Sequence, residues 1–445
     1  MAAGLHGVDW ASLKPEVIAK AKLCLIDYLG CAFTSRDLPW SRQAIELAAA
    51  ARRERPAATV IGTAYRTTAH EAAFANAVLG HGLVRDDMHL GSVSHLGTVI
   101  LPTLLALAEL HSIDGRRFLT ALVAGYEAGG KLGRSILDID VAKVFRPTGI
   151  TGPFAAAAAG SKLLGLEPPA FASALTLAAN TAAGYNEWAA TGGTEMFFHP
   201  GFAARNALTA IELAAGGAYT SATSLDGSAG MLAAFNKPPA PATPLPFEDD
   251  AEILAVFFKE VPACNFAQTA AQVARDIALA HDVDAAQIAT IQTGVPEAAA
   301  LYPGCDCAGP FEQILQAKMS IQYNIAAALL RGHFDEHNYV PEANPDIVDL
   351  AAPIQVAIDA ELTQAYPRQQ GARIRVTLAD GTVWRAGAED LKRASNSLVY
   401  ERMLAAATAT LGAATANELL AFIDDIDSKS DVSGLCELLL GRSQA

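Results

Sequence analysis

Five polar side chains crowd one short stretch: Arg85, Asp86, Asp87, His89 and His95, within Gly80-His-Gly-Leu-Val-Arg-Asp-Asp-Met-His-Leu-Gly-Ser-Val-Ser-His95. Carboxylates beside imidazoles can pass protons near neutral pH or hold a metal ion. The spacing matches no helical HExxH pattern, so no metal is expected. A solvated loop with capping aspartates is the plainer alternative.

A second cluster is Phe145-Arg-Pro-Thr-Gly-Ile-Thr-Gly152. Glycine and hydroxyl residues ahead of a helix can present N–H groups to an anion, here at Thr148 and Gly149. Arg146 could grip a carboxylate through two hydrogen bonds. A glycine-rich helix cap explains the same residues without a ligand. The order of a nucleotide-binding G-x-x-x-x-G-K-[ST] loop is absent.

Three further residues complete the candidates. His199 stands in Thr194-Glu-Met-Phe-Phe-His-Pro-Gly201, just ahead of a helical stretch. Lys259 lies among apolar neighbours in Phe257-Phe-Lys-Glu-Val-Pro-Ala-Cys-Asn265. Burial there would lower its pKa into a useful range, whereas a solvent-facing lysine would do nothing. Tyr323 ends Lys318-Met-Ser-Ile-Gln-Tyr323, as a proton donor or as a core aromatic with a satisfied hydroxyl. No G-x-S-x-G elbow suggests a serine hydrolase, and no G-x-G-x-x-G follows a strand.

The elements that must position these residues are mostly helices. Pro15 suits a first helical turn, followed by Val17, Ile18, Ala21, Leu25, Tyr28 and Leu29 at helical spacing. Thr68 with Glu71 reads as a capping box for a helix through Leu79. Asp114 is placed to cap a long helix through Leu122 and Tyr126. Pro153 reads as the start of an alanine-rich helix ending near Gly165, and another helix runs from Ala170 to Ala183. So many small residues imply closely packed helices. After about Pro262 the character changes. Gln287–Gly294, Ile354–Ile358, Arg373–Leu378 and Thr382–Arg385 read as strands, the last two joined at Asp380-Gly381. Ala317–Leu330 reads as one helix between them, and helices return from about Ala394. The fold class expected is mainly α. A large helical domain (1–262 plus 395–445) would carry a smaller inserted α+β lid (263–394), with a site in the cleft.

Composition narrows the function classes. The chain has 445 residues, net charge −15 and pI about 5.1, which disfavours nucleic-acid partners. An acidic protein that binds an acid must concentrate positive charge locally. Mean hydropathy is +0.23, yet no run reaches the ~18–20 apolar residues of a membrane span. No basic stretch followed by an apolar one opens the sequence, so a cytoplasmic protein is expected. Among six cysteines only Cys305 and Cys307 lie close, and reduced thiols are expected.

These clusters, in this order, resemble the MmgE/PrpD family across nearly the whole chain. The marks are HGLVRDDMHLGSVSHLG, GYEAGGKLG, FRPTGITGPFAAAAAGSKLLGL, FFHPGFAARNAL, FFKEVPAC and AKMSIQYNIAAALLRG. The resemblance implies a helical domain with an α+β lid, a homodimer, no cofactor and a small polycarboxylate substrate. The family includes 2-methylcitrate dehydratase, cis-aconitate decarboxylase and iminodisuccinate epimerase. In the first two, the Arg85–His95 loop carries a leading Asp and a Thr, where this chain has Val84 and Met88. They carry a His, a Lys and a His where this chain has Arg146, Met196 and Gln268. Asp86, Asp87, His95, Lys259 and Tyr323 remain. Losing a His and a Lys points to simpler chemistry, so epimerisation of a carbon next to a carboxylate, as in iminodisuccinate, is the expected reaction. Lys259, Tyr323 and His95 would be the acid/base groups. Asp86, Asp87, His89, Arg146, Thr148, Gly149 and His199 would position the substrate. Dehydration or decarboxylation of a citrate-like acid is the alternative.

Overall fold

The computed structural model describes residues 1–51, 58–238 and 250–441. It is mostly α-helical. Six long helices form the larger part: α1 (Pro15–Ser35), α2 (Ala69–His81), α3 (Gly97–Leu110), α4 (Gly115–Ile136), α5 (Pro147–Leu164) and α6 (Glu195–Ala215). Local chemistry sets their starts. Pro15 occupies the first turn of α1, and Thr68 Oγ1 accepts the Glu71 N–H at 3.3 Å ahead of α2. Asp114 accepts the Arg117 N–H at 2.9 Å ahead of α4.

The alanine-rich helix begins earlier than its sequence suggests. Pro147, not Pro153, occupies its first turn, and Pro153 sits inside it. An interior proline leaves the carbonyl four residues back without its helical partner. Here that carbonyl belongs to Gly149, and it accepts the Ala183 N–H at 3.2 Å instead. The loop that follows the next helix (Pro168–Ala179) therefore repairs α5. Helices α4 and α5 come close because their facing positions are small. A Cβ added at Gly125 would stand 2.9 Å from Ala159 Cβ, and one at Gly129 would stand 2.8 Å from Ala155 Cβ.

The mixed segment carries a four-stranded sheet: β1 (Ile288–Val295), β2 (Gln355–Ile358), β3 (Ala372–Leu378) and β4 (Val383–Ala388). The strand order is β2-β1-β3-β4, with β1 and β2 parallel and the other pairs antiparallel. Gly381, at φ +90°, makes the β3–β4 turn. Helix α7 (Gln268–Ala280) packs on β3 and β4 and on helix α8 (Ile321–Arg331). The single helix expected over 317–330 is two. Ser320 is extended (φ −66°, ψ 124°), ends Ile314–Met319 and caps α8 by accepting the Tyr323 N–H. Helix α9 (Asn396–Leu411) then packs on α1, returning the chain to the helical part. No helix among the described residues is long and apolar enough to cross a membrane.

Candidate active site

The loop between α2 and α3 is folded by contacts from distant segments. Met88–His89 pairs antiparallel with Val256–Phe257. Lys318 Nζ donates to Leu83 O at 3.0 Å, and Lys259 Nζ donates to the next carbonyl, Val84 O, at 2.8 Å. Val84 (φ +60°) and Val93 (φ +49°) both adopt left-handed backbone, which β-branched residues seldom do. Such strain persists where surrounding contacts over-determine it, often beside a functional site. Both valines line one cavity.

That cavity is narrow, with about 30 Å³ open to a water-sized occupant. Its polar lining is His95, Arg146, Lys259, Cys264, Asn265 and Tyr302. Its apolar lining includes Val84, Met88, Val93, Trp188, Phe266 and Met319. The helical part and the sheet-bearing segment thus both contribute walls.

Lys259 is almost fully buried and its pKa is lowered to about 8, first by desolvation, with Asp86 opposing. Arg402 of α9 fixes its backbone by donating to Lys259 O (2.9 Å) and Glu260 O (2.7 Å). Arg146 precedes Pro147, which restricts it to extended backbone, and its N–H donates to Gly184 O at 2.9 Å. Its guanidinium lies over Trp188, 5.2 Å from the ring centroid. Two cations therefore meet in an enclosed site of a protein with net charge −15.

Behind them runs a chain of polar groups. Arg146 Nη2 lies 3.0 Å from His81 Nε2, and His81 Nδ1 lies 2.9 Å from Asp86 Oδ2. A guanidinium only donates, so His81 Nε2 must accept and Nδ1 must carry the proton given to Asp86. Burial keeps the His81 pKa low, which agrees with a neutral ring. Asp86 Oδ2 also stands 3.1 Å from His95 Nδ1, without hydrogen-bond alignment. Asp86 is held well below the usual carboxylate range: His81 and His95 outweigh its desolvation. An anion at that place favours the His95 proton on Nδ1 and leaves Nε2 as the free lone pair. Desolvation, reinforced by Lys259, lowers the His95 pKa to about 3, so the ring is neutral. His81, Asp86 and His95 lie close enough to hold a metal ion. The donor from Arg146 argues against it, because a proton then occupies the His81 nitrogen that would face the ion.

Tyr302 was not visible as a site residue. Its hydroxyl accepts from Asn186 Nδ2 at 2.9 Å, which leaves its own O–H free to donate. Desolvation pushes its pKa up to about 12. His81 and Trp188 were missed too. Nothing in their spacing separates them from core residues.

The structure brings together His95, Arg146 and Lys259, with Asp86 behind His95. Other expected residues stand elsewhere. Tyr323 is a correction: the break at Ser320 turns it away, and its hydroxyl donates to Asn338 O at 2.8 Å in a buried cluster with Phe311 and Tyr339. Asp87 faces the helices, accepting from Tyr126 OH (2.7 Å) and Gly97 N–H (3.2 Å). His89 bridges Glu252 (2.9 Å) and Ser92 (2.8 Å) and fixes the loop. Thr148 Oγ1 accepts the His95 N–H at 3.0 Å, so it places His95. The Gly149 N–H already donates to Arg146 O, so it offers no anion site. His199 is half-buried across Gly184 from Arg146, outside the cavity lining, with Nδ1 unpartnered. Desolvation lowers its pKa to about 4. Met196 packs against His81 Nε2 at 3.0 Å, and Gln268 closes the 261–264 turn through Val261.

The described chain is mostly helical, and two cationic side chains line its cavity. The chain belongs to the MmgE/PrpD family: the family's N-terminal domain matches residues 1–243 and its C-terminal domain residues 261–394. It is 26% identical to cis-aconitate decarboxylase of Aspergillus terreus, over 97% of this chain and 94% of that protein. It is 25% identical to cis-aconitate decarboxylase of Mus musculus, over 99% and 92%. The Homo sapiens enzyme of that name is 30% identical over 53% of this chain and 49% of its own. These relatives overturn the expected epimerase. By name they are decarboxylases, the alternative that the sequence also offered.

Proposed function

We propose that this protein is a carbon–carbon lyase that decarboxylates a small unsaturated tricarboxylate of the cis-aconitate type. The full-length likeness to decarboxylases carries the reading, and the cavity supports it. Arg146 and Lys259 supply the charge that two substrate carboxylates require. Loss of CO2 from a carbon adjoining the double bond sends an electron pair through that bond. The pair settles beside a remaining carboxylate as an enediolate. Lys259 and the Tyr302 hydroxyl stabilise that charge, because fixed donors act strongly where water is excluded. Lys259, with a pKa of about 8, then returns a proton to the carbon. His95, neutral and backed by Asp86, can only accept at Nε2, so the substrate's ionised carboxylates rest on Arg146, Lys259 and Tyr302 instead.

The segment 263–394 is read as a lid, since Cys264, Asn265, Phe266, Tyr302 and Met319 form its share of the wall. Proton NMR of purified protein with cis-aconitate in D2O tests the function. Loss of CO2 with one deuterium in the product supports it. Hydration of cis-aconitate, or dehydration of a citrate-like acid, would replace it with the dehydratase reading and make neutral His95 the base.

A further inference from the structure

Cys264 and Cys305 are buried thiols 41 positions apart whose sulfurs lie 3.7 Å from each other. Cys264 lines the active-site cavity, and Cys305 sits behind it with its N–H on Tyr302 O at 3.1 Å. We propose that this pair is a modification site at which hydrogen peroxide entering the cavity forms a Cys264–Cys305 disulfide and reversibly stops catalysis.

The two sulfurs are not equivalent. Cys264 faces the cavity, and the Cys305 thiol and the Phe266 N–H stabilise its thiolate, with Lys259 adding positive charge. Its pKa is lowered to about 7. Burial holds the Cys305 thiol well above its ordinary value. Thiolate character and access select the sulfur that reacts, so Cys264 is the nucleophile and Cys305 the resolving thiol. The Cys264 thiolate attacks one peroxide oxygen and the O–O bond breaks. Hydroxide leaves and takes a proton to become water, and Cys264 becomes a sulfenic acid. Cys305 then attacks that sulfur, the S–O bond breaks, and the hydroxyl departs with the Cys305 proton as a second water. Two thiols are oxidised and one peroxide is reduced to two waters. Cys305 is the partner because its sulfur already stands 3.7 Å from that of Cys264.

Closing the bond draws the sulfurs from 3.7 Å to about 2.05 Å. It ties the turn that carries Lys259 contacts at Ala263 to the segment that carries Tyr302. Both groups serve the proposed reaction, and misplacement by about 1 Å can cost on the order of 100-fold in rate.

The test treats the reduced full-length protein with hydrogen peroxide, blocks remaining thiols under denaturing conditions, and maps peptides by mass. The expected result is a 264–305 cross-linked peptide two hydrogens lighter than the sum of its parts, removed by dithiothreitol. Activity should fall at least about tenfold and return on reduction. In Cys305→Ser the reaction should stop at a dimedone-reactive Cys264. Both thiols still alkylated after peroxide, or a 305–307 bridge in place of 264–305, would overturn the proposal. Mapping needs no substrate, so it decides the site even if the decarboxylase reading fails.

Discussion

Arg146 donates to His81 Nε2 across 3.0 Å, and that one contact holds the His81 proton on Nδ1, facing Asp86. Replacing it removes a cavity cation and releases the His81 tautomer together. Arg146→Met should lower kcat/KM on the order of 100-fold. Arg146→Lys keeps the charge but not the planar fork, so it should recover only part of this. Nitrogen-15 NMR of the histidines should show His81 protonated on Nδ1 in the wild type and a mixture in Arg146→Met. An unchanged tautomer would remove Arg146 from this role.

The pH profile follows from Lys259. Its folded pKa of about 8 lies below the ordinary lysine value, because burial penalises its charge. The donor is protonated below that pH, so kcat/KM should be level through neutrality and fall as pH rises past about 8. His95 titrates near 3 and should give no limb near 6.5. A bell centred on an ordinary histidine pKa would contradict both assignments. Lys259→Ala should abolish the basic limb along with most activity.

The two tyrosines separate site from scaffold. Tyr302→Phe removes the hydroxyl of a cavity-lining residue, and activity should fall about 10–100-fold with little change in Tm, because Asn186 keeps its bond to Ala142 O. Tyr323→Phe leaves Asn338 O unpaired in a buried cluster. It should cost about 1 kcal/mol of stability and leave kcat/KM near wild type. The reverse pattern would restore Tyr323 as the proton donor.

Much of the fold is legible because it rests on local signals. Pro15, Thr68 and Asp114 announce their helices through first-turn chemistry, and Asp380-Gly381 announces its hairpin. Pro153 misleads because a distant N–H, from Ala183, repairs the helix around it. The site is only partly legible for a related reason. Lys259 and His95 stand out as polar residues in apolar or crowded segments. Trp188 and Tyr302 reach the cavity, and His81 stands behind it, only through packing between segments distant in the chain, which no local spacing encodes. Asp87 and His89 look like their neighbour Asp86 in sequence, but each faces a different wall of the same loop.

Asp27 offers a stability test apart from catalysis. It is buried on α1 with Oδ2 unpartnered, and desolvation raises its pKa to about 7 despite nearby Arg85. An unfolded aspartate ionises near 3.8, so between about 4 and 7 the folded state binds more protons than the unfolded one. Its contribution to stability is therefore largest in acid and is lost as pH rises through that window. Asp27→Asn cannot ionise and should gain on the wild type by a few kcal/mol as pH rises from about 4 to 7, then keep a constant difference. Thermal unfolding of both proteins across that range decides it. A wild-type advantage that grows with pH would mean that Asp27 is ionised and firmly paired with Arg85, and that its charge supports the fold.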